Sequence, residues 1–531
     1  MSAMPNTQAL VGDSGVTFPN SFVNYSYCCP SRATFLTGQY SHNHQVRENV
    51  GPAGGFKRLN HRNTLAVWLQ RAGYYTGLIG KYLNGYERHR DDPGGPLIPP
   101  GWSEWRGSTR TYDFYGYELN EGGVLTTYGS LADNPDNPPD PALYQTDVYS
   151  AKAVDFINRR ARFEQPFFLW LSWMAPHSGG PNPDGNHCAG TAKPAPRDLH
   201  AFDSEPLPRP PSFDEADVSD KPPIISGYPQ FTDDAISDIT RFYRCRLASL
   251  LAEDLGVTQV MSALWASGEL DDTLVIFTSD NGYMHGEHRL KFGKLVPYEE
   301  SIRVPLLIRG PGFRGGKTVR DLVINADLAP TIVHATGAEP KREMDGMALQ
   351  GFAKRPGRLR GRELSIETNR YTGVRTERYK YVKHIAGRNR GFEELYDLDV
   401  DPFELQNVAL DPAYADVRFA LRSGLGRVRR CDAEQCLRAA RLKMRLRLSR
   451  DRNGCARRPV RARVGGPDRS KVVSTRFFVN GRGVGKDRSR PLQRKLPYRK
   501  LKRRRVSKAR VLATLLDGRR MTIDRGVRRC R

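Results

Sequence analysis

Positions 27–38 read YCCPSRATFLTG, and the chemistry they offer is that of thiols set at the start of a helix. Pro30 suits a first helical turn, where its missing N–H costs nothing, and Gly38 suits the stop just past the last turn. Cys28 and Cys29 then lie where free backbone N–H groups and the helix dipole favour an anion. Such a position lowers a thiol's pKa, and Arg32, one turn on, lowers it further. Arg32 also offers two parallel N–H bonds to a tetrahedral oxyanion. On these features alone, two buried cysteines in a strand-to-helix turn fit as well as a reactive thiol.

Three more polar clusters follow strand-like runs. GKYLNGY, with Lys81, comes after Tyr75–Ile79. WMAPHSGGP, with His177, comes after Phe167–Ser172. SDNGYMHGEHRLKFGK, with Asp280, Asn281 and Lys294, comes after Thr273–Thr278. Singly, each has a plain reading: a solvated lysine, a satisfied histidine, an Asp-Asn-Gly turn. Clusters at one end of parallel strands are also where α/β sheets bind ligands.

The elements that must position these clusters alternate as an α/β fold should. HRNTLAVWLQRAGYYTGLIGKY reads as helix, turn and strand, and the stretches ending at Ser172 and Thr278 repeat the pattern. MPNTQALVGDSG also reads as helix. Strands this continuously apolar are buried on both faces, which predicts a mostly parallel sheet. Ser178 to Asp234 is a long Pro-, Gly- and Asp-rich segment, of the kind that carries function or moves. Short alternating strands between Arg375 and Asp399 predict a small antiparallel sheet.

Charge separates the last part of the chain from the rest. From Arg441 to Arg531 there are 33 Lys and Arg against 5 Asp and Glu, a net of +28, which leaves the first 440 residues at −3. Basic and apolar residues alternate there in LKMRLRLS, PVRARV and VVSTRFFVNGRGVG, with hairpin signals at Asn480-Gly481 and Asp517-Gly518. This predicts a separate β-sandwich over 441–531, either an Arg-rich solvated fold or a surface for a polyanion such as glycan, cell wall or nucleic acid. No apolar run approaches the roughly 18 residues of a membrane span. Met1 opens no signal-peptide pattern.

Four motifs in this order resemble the type I sulfatases across roughly Met4 to Cys436. CCPSRATFLTG carries their Cys-x-Pro-Ser-Arg signature followed by Thr-Gly, and with the following YSHNHQV it is most similar to the N-acetylglucosamine-6-sulfatase branch. The resemblance implies an alkaline-phosphatase-like α/β fold with a catalytic domain over 1–437. It implies that Cys28, with Cys29 the variable neighbour, is oxidised to formylglycine by a formylglycine-generating enzyme. The hydrated aldehyde would attack the sulfur of a sulfate ester on a sulfated sugar. Arg32 would hold the diol, Lys81 and Lys294 would neutralise the sulfate oxygens, and His177 would protonate the leaving alkoxide. Asp280, Asn281 and the residue-28 oxygen would bind a calcium ion. A phosphodiester or phosphonate hydrolase of the same fold is the rival enzyme reading, and an inert body with a polyanion-binding tail is the rival of another class.

Two departures stand out against that family. Where many members read Gly-Lys-x-His, this chain has Gly80-Lys81-Tyr82-Leu83, so His42, His44, His285 and His288 are candidates to replace the histidine or to bind sugar. Similar sulfatases also begin with a strand ending in two aspartates just ahead of MPNTQAL. The expectation is that the protein continues upstream of Met1 through that strand and a signal peptide. With Cys28 converted, the remaining seven cysteines allow three pairs plus Cys29, which favours an oxidising, extracytoplasmic or secreted setting.

Overall fold

The computed structural model describes all residues except 93–94, 130–139, 180–185, 358–360, 438–443, 450–454, 457–458, 467–468, 470, 489–490, 502–505, 516–519 and 530–531. The chain forms two compact units, one of Met1–Val218 with Ile224–Arg358, the other of Ser219–Pro223 with Leu359–Arg531.

In the first unit the helix Cys28–Thr37 starts after an extended Tyr27 and stops at Gly38, whose φ of 68° is left-handed. That conformation favours glycine, and a side chain there would also have to displace the Met344 side chain, 2.7 Å away. Pro5–Thr7 is α-helical and continues as a π-helix through Gln8–Asp13. Buried Asp254 anchors this segment, accepting from the Thr7 N–H and hydroxyl at 2.7 Å each. Asp254 belongs to the 34-residue helix Asp233–Ala266, which shares a core with the helix Gln145–Arg160 through Phe156, Ile157, Val257 and Met261.

One sheet of this unit runs in the order Val124–Tyr128, Tyr117–Glu121, Glu104–Ser108, Tyr75–Gly80, Phe167–Ser172. The last three strands are parallel, and the expected parallel core is extended by antiparallel pairs. A second sheet orders Lys317–Thr318, Val16–Thr17, Leu306–Arg309 and Val275–Thr278, with Val275–Thr278 antiparallel to Leu306–Arg309. Phe167–Ser172 and Val275–Thr278 are therefore both edge strands. Both line one cavity of about 1110 Å³. Their apolar side chains are mostly half-buried in consequence, where the sequence predicts strands covered on both faces.

The second unit holds an antiparallel sheet of Leu364–Glu367, Tyr371–Arg375, Tyr379–His384 and Glu393–Asp397, as the alternation predicts. The helix Ala415–Val428 covers it through Val417, Leu421 and Leu425. Beyond it, a three-stranded sheet (Arg445–Leu448, Val460–Gly465, Gln493–Leu496) and a four-stranded sheet (Arg482–Asp487, Val472–Val479, Val506–Leu515, Arg520–Arg528) enclose their own core of Leu446, Val464, Phe477, Val511 and neighbours. Asn480 and Gly481 both take positive φ, 49° and 82°, the hairpin geometry their sequence signals. Asp517-Gly518 lies outside the described residues. Disulfides join Cys188 to Cys245 and Cys431 to Cys436, and Cys455 is disulfide-bonded too. Cys530 lies outside the described residues.

Candidate active site

Each candidate side chain sits where an element ends. Cys28 is the first residue of its helix, Lys81 follows Tyr75–Gly80, and His177 follows Phe167–Ser172. Asp280 and Asn281 follow Val275–Thr278, and Lys294 lies in the loop beyond. The fold brings these six together with Arg32. Lys294 Nζ is 3.2 Å from Cys28 Sγ and 3.1 Å from Asn281 Oδ1, and Cys28 Sγ is 3.9 Å from that oxygen.

Electrostatics set the two cysteines apart. Burial pushes the Cys28 thiol up, but Lys81, Lys294 and a hydrogen bond with His177 outweigh it and bring the thiol down to about 5, with Asp280 opposing. Burial pushes the Cys29 thiol up as well, and with the Cys28 charge adding to it the value rises to about 12. The Cys29 N–H donates to Asn49 Oδ1 at 2.9 Å, and its sulfur accepts the Asn84 N–H at 2.9 Å within an apolar cluster that includes Ala33 and Leu36. Cys29 is a packed, satisfied side chain.

Arg32 is held at the site by several partners at once. Its Nε donates to Asp280 Oδ2 at 2.6 Å, and Nη1 donates to the Lys81 carbonyl and Ser172 Oγ at 2.8 Å each. The guanidinium thus binds three strand ends to one another, leaving Nη2 as the arm without such a contact among the described residues. Burial pushes the Asp280 carboxyl up, but Arg32, Lys81 and Lys294 hold it well below the usual carboxylate range. His177 Nδ1 lies 2.8 Å from the Ser178 carbonyl, which can only accept. Neutral His177 therefore carries its proton on Nδ1, and Nε2 is left for a reacting group.

Of the four further histidines, two serve the fold. His44 is buried, with Nε2 3.0 Å from Thr34 Oγ1 and Nδ1 accepting the Val46 N–H, and burial takes it down to about 3. His288 Nδ1 lies 2.6 Å from Glu215 Oε2 in the interior, beneath Tyr298. His42 packs beside Tyr40. His285 lines the cavity, with its Nε2 unpartnered among the described residues and its pKa taken down to about 3 by burial. Ser172 and Tyr112 also stand at the site, outside the four motifs. The polar end of FFLWLS signals Ser172; nothing local signals Tyr112, whose ring lies 5.4 Å from Lys81 Nζ and 5.1 Å from His177.

The unmodified chain should show a thiolate absorbance step near pH 5 that Cys28→Ser removes and Cys29→Ala leaves. The folded value lies below that of an unfolded cysteine, 9.0. The linked stabilisation is thus complete above that value and drains away as pH falls through about 5. A step nearer pH 9 would contradict this electrostatic picture.

Residues 1–338 match the family described as Sulfatase, and residues 286–431 the family described as N-sulphoglucosamine sulphohydrolase, C-terminal. The chain is 35% identical over 356 residues to N-acetylglucosamine-6-sulfatase of Homo sapiens, covering 66% of this chain and 60% of that protein. It spans less than two thirds of the length of the first curated relatives it matches. A solved chain in complex with its substrate D-glucosamine-2-N,6-O-disulfate superimposes with a TM-score of 0.63 at 23% identity, covering 82% of this chain and 93% of that one. The phosphonate monoester hydrolase of Agrobacterium radiobacter gives 0.56 at 25% identity over 80% and 90%.

Proposed function

Because the chain belongs to the sulfatase family, we propose that it hydrolyses sulfate esters on a sulfated sugar, with Cys28, as formylglycine, at the reacting centre. One observation carries the reading: the residue-28 side chain is ringed by two ammonium groups and an imidazole and backed by Asp280 and Asn281. A sulfate group placed there meets positive charge before any bond changes. The N-acetylglucosamine-6-sulfatase relative supports an amino-sugar sulfate as substrate.

Oxidised to formylglycine and hydrated, position 28 would supply one hydroxyl as nucleophile toward sulfur, displacing the sugar oxygen, and a second hydroxyl whose deprotonation would restore the aldehyde and release sulfate. Lys294, already 3.2 Å from the residue-28 side chain, and Lys81 stabilise charge on the sulfate oxygens in the transition state. His177, once protonated on Nε2, delivers that proton to the departing sugar oxygen while its Nδ1–H stays on Ser178. Arg32 fixes Asp280 and the Lys81 backbone, so both approach the reacting group in set positions.

Asp280 and Asn281 present a carboxylate and an amide oxygen, hard donors of the kind calcium takes. Calcium held there would supply a Lewis-acid charge beside position 28. These three side-chain oxygens, one of them already accepting from Arg32, fall short of the six to eight that calcium takes. The disulfides support an extracytoplasmic or secreted location. Among the described residues, no helix is long and apolar enough to cross a membrane. We also propose that 441–531, with its own core, folds as a separable domain.

A chromogenic aryl sulfate tested beside the matching phosphate and phosphonate decides between the enzyme readings. Sulfate turnover should exceed the other two by at least about a hundredfold in kcat/KM, on the order of one lost transition-state contact. The phosphonate hydrolase neighbour favours the rival, and preferential phosphonate turnover would establish it. No turnover of any of the three would favour the inert body.

A further inference from the structure

We propose that the exposed face of the three-stranded sheet in the basic sandwich is a docking surface for a linear sulfated polysaccharide. The choice of polysaccharide rests on the sulfatase reading above; the existence of an anion-binding face does not.

The face follows from strand alternation. Leu446, Val460, Ala462, Val464 and Leu496 turn into the sandwich core. Arg445, Arg447, Arg461, Arg463 and Lys495 are exposed on the other side. Register then sets like charges opposite one another: Arg447 faces Arg463, and Arg461 faces Lys495. Directly opposed side chains in an antiparallel pair stand about 5 Å apart at Cβ, and like charges so placed are destabilising.

The companion sheet meets the same problem with an acid on one pair of strands only, since Arg476 still faces Lys486 there. Asp524 accepts from Arg510 at 2.7 and 3.0 Å and pairs with Lys508 at 2.7 Å. The three strands of the basic face contain no Asp or Glu. None of its five cations has an ion-pair partner among the described residues. A chain bearing repeated oxyanions would supply the missing countercharge. Four of the five cations are arginines, whose planar fork matches sulfate oxygens two at a time and is more weakly hydrated than an ammonium. The outward positions carry no aromatic side chain, so the face lacks the stacking platform that single-stranded nucleic acid uses.

The test measures binding of the full chain to heparin, a sulfated polysaccharide, by titration at several salt concentrations. Arg447→Gln, Arg461→Gln and Arg463→Gln combined should weaken heparin binding at least about tenfold and lower the salt slope by about three. Removing like-charge pairs should leave the melting temperature unchanged or raised. A control with equal charge loss on the companion sheet, Arg476→Gln, Lys486→Gln and Arg520→Gln, should retain most of the affinity. Equal loss in both variants would mean net charge alone binds and would overturn the face. Desulfated heparin or DNA binding as tightly as heparin at matched salt would overturn the proposed partner. Turnover of a small aryl sulfate, read alongside, should not differ between the triple variant and the parent. Its absence in both would defeat the catalytic reading and leave the binding result standing.

Discussion

Cys28→Ala should lower kcat for an aryl sulfate by on the order of 10⁴ or more, the scale seen when a nucleophile is removed. Cys29→Ala, one residue on, should leave kcat within a few-fold. The two thiols share a helix start but not an environment. Cys28 faces Lys81, Lys294 and His177, so position 28 is where anionic chemistry is stabilised. Cys29 faces the backbone of Asn49 and Asn84 and an apolar cluster. Its truncation removes an acceptor from the Asn84 N–H and leaves a small void, at about 2 kcal/mol of stability. Urea unfolding of both variants, beside steady-state kinetics, separates the roles. A folded Cys29→Ala chain that loses turnover along with Cys28→Ala would contradict the assignment.

Asp280→Asn should cost about 3 kcal/mol of stability and on the order of a hundredfold in kcat. Its carboxylate is the acceptor for Arg32 Nε at 2.6 Å, and the Arg32 side chain is 9% exposed. The amide keeps the shape but leaves the guanidinium charge without its opposite. The folded carboxyl titrates below its ordinary range, so its contribution is complete above the unfolded value near 4 and is lost only as pH falls through the lower folded value. The deficit of the variant should thus be constant from neutral pH down to about 5 and shrink in stronger acid. Any rise in melting temperature on adding calcium to the parent should vanish in the variant, because the substitution removes the charged oxygen donor. A variant with parental stability and turnover would remove Asp280 from the site.

Much of this site could be read from the chain because its cues are local. Pro30 and Gly38 bound the helix that presents Cys28, and each strand's change from apolar to polar marks where Lys81, His177 and Asp280 emerge. Strict alternation in PVRARV and the Asn480-Gly481 turn foretold the sandwich. What escaped depends on partners distant in sequence. Continuous apolar runs announced buried strands, but not that Phe167–Ser172 and Val275–Thr278 would stand as edges along one cavity. The helix position of Arg32 is local information, whereas its contact with Asp280 spans 248 residues. Tyr112 joins Lys81 and His177 only through a loop, and His44 and His288 proved to be structural through Thr34 and Glu215. None of these pairings has a spacing that betrays it.

Whether position 28 is the reacting centre is tested most directly by the mass of the peptide containing it, measured after co-production with a formylglycine-generating enzyme and set against turnover in the same preparations. A loss of about 18 Da is expected at Cys28, the change from thiol to aldehyde, with Cys29 intact. Activity toward an aryl sulfate should rise in proportion to the converted fraction. Turnover by chains in which Cys28 remains an unmodified cysteine would contradict it.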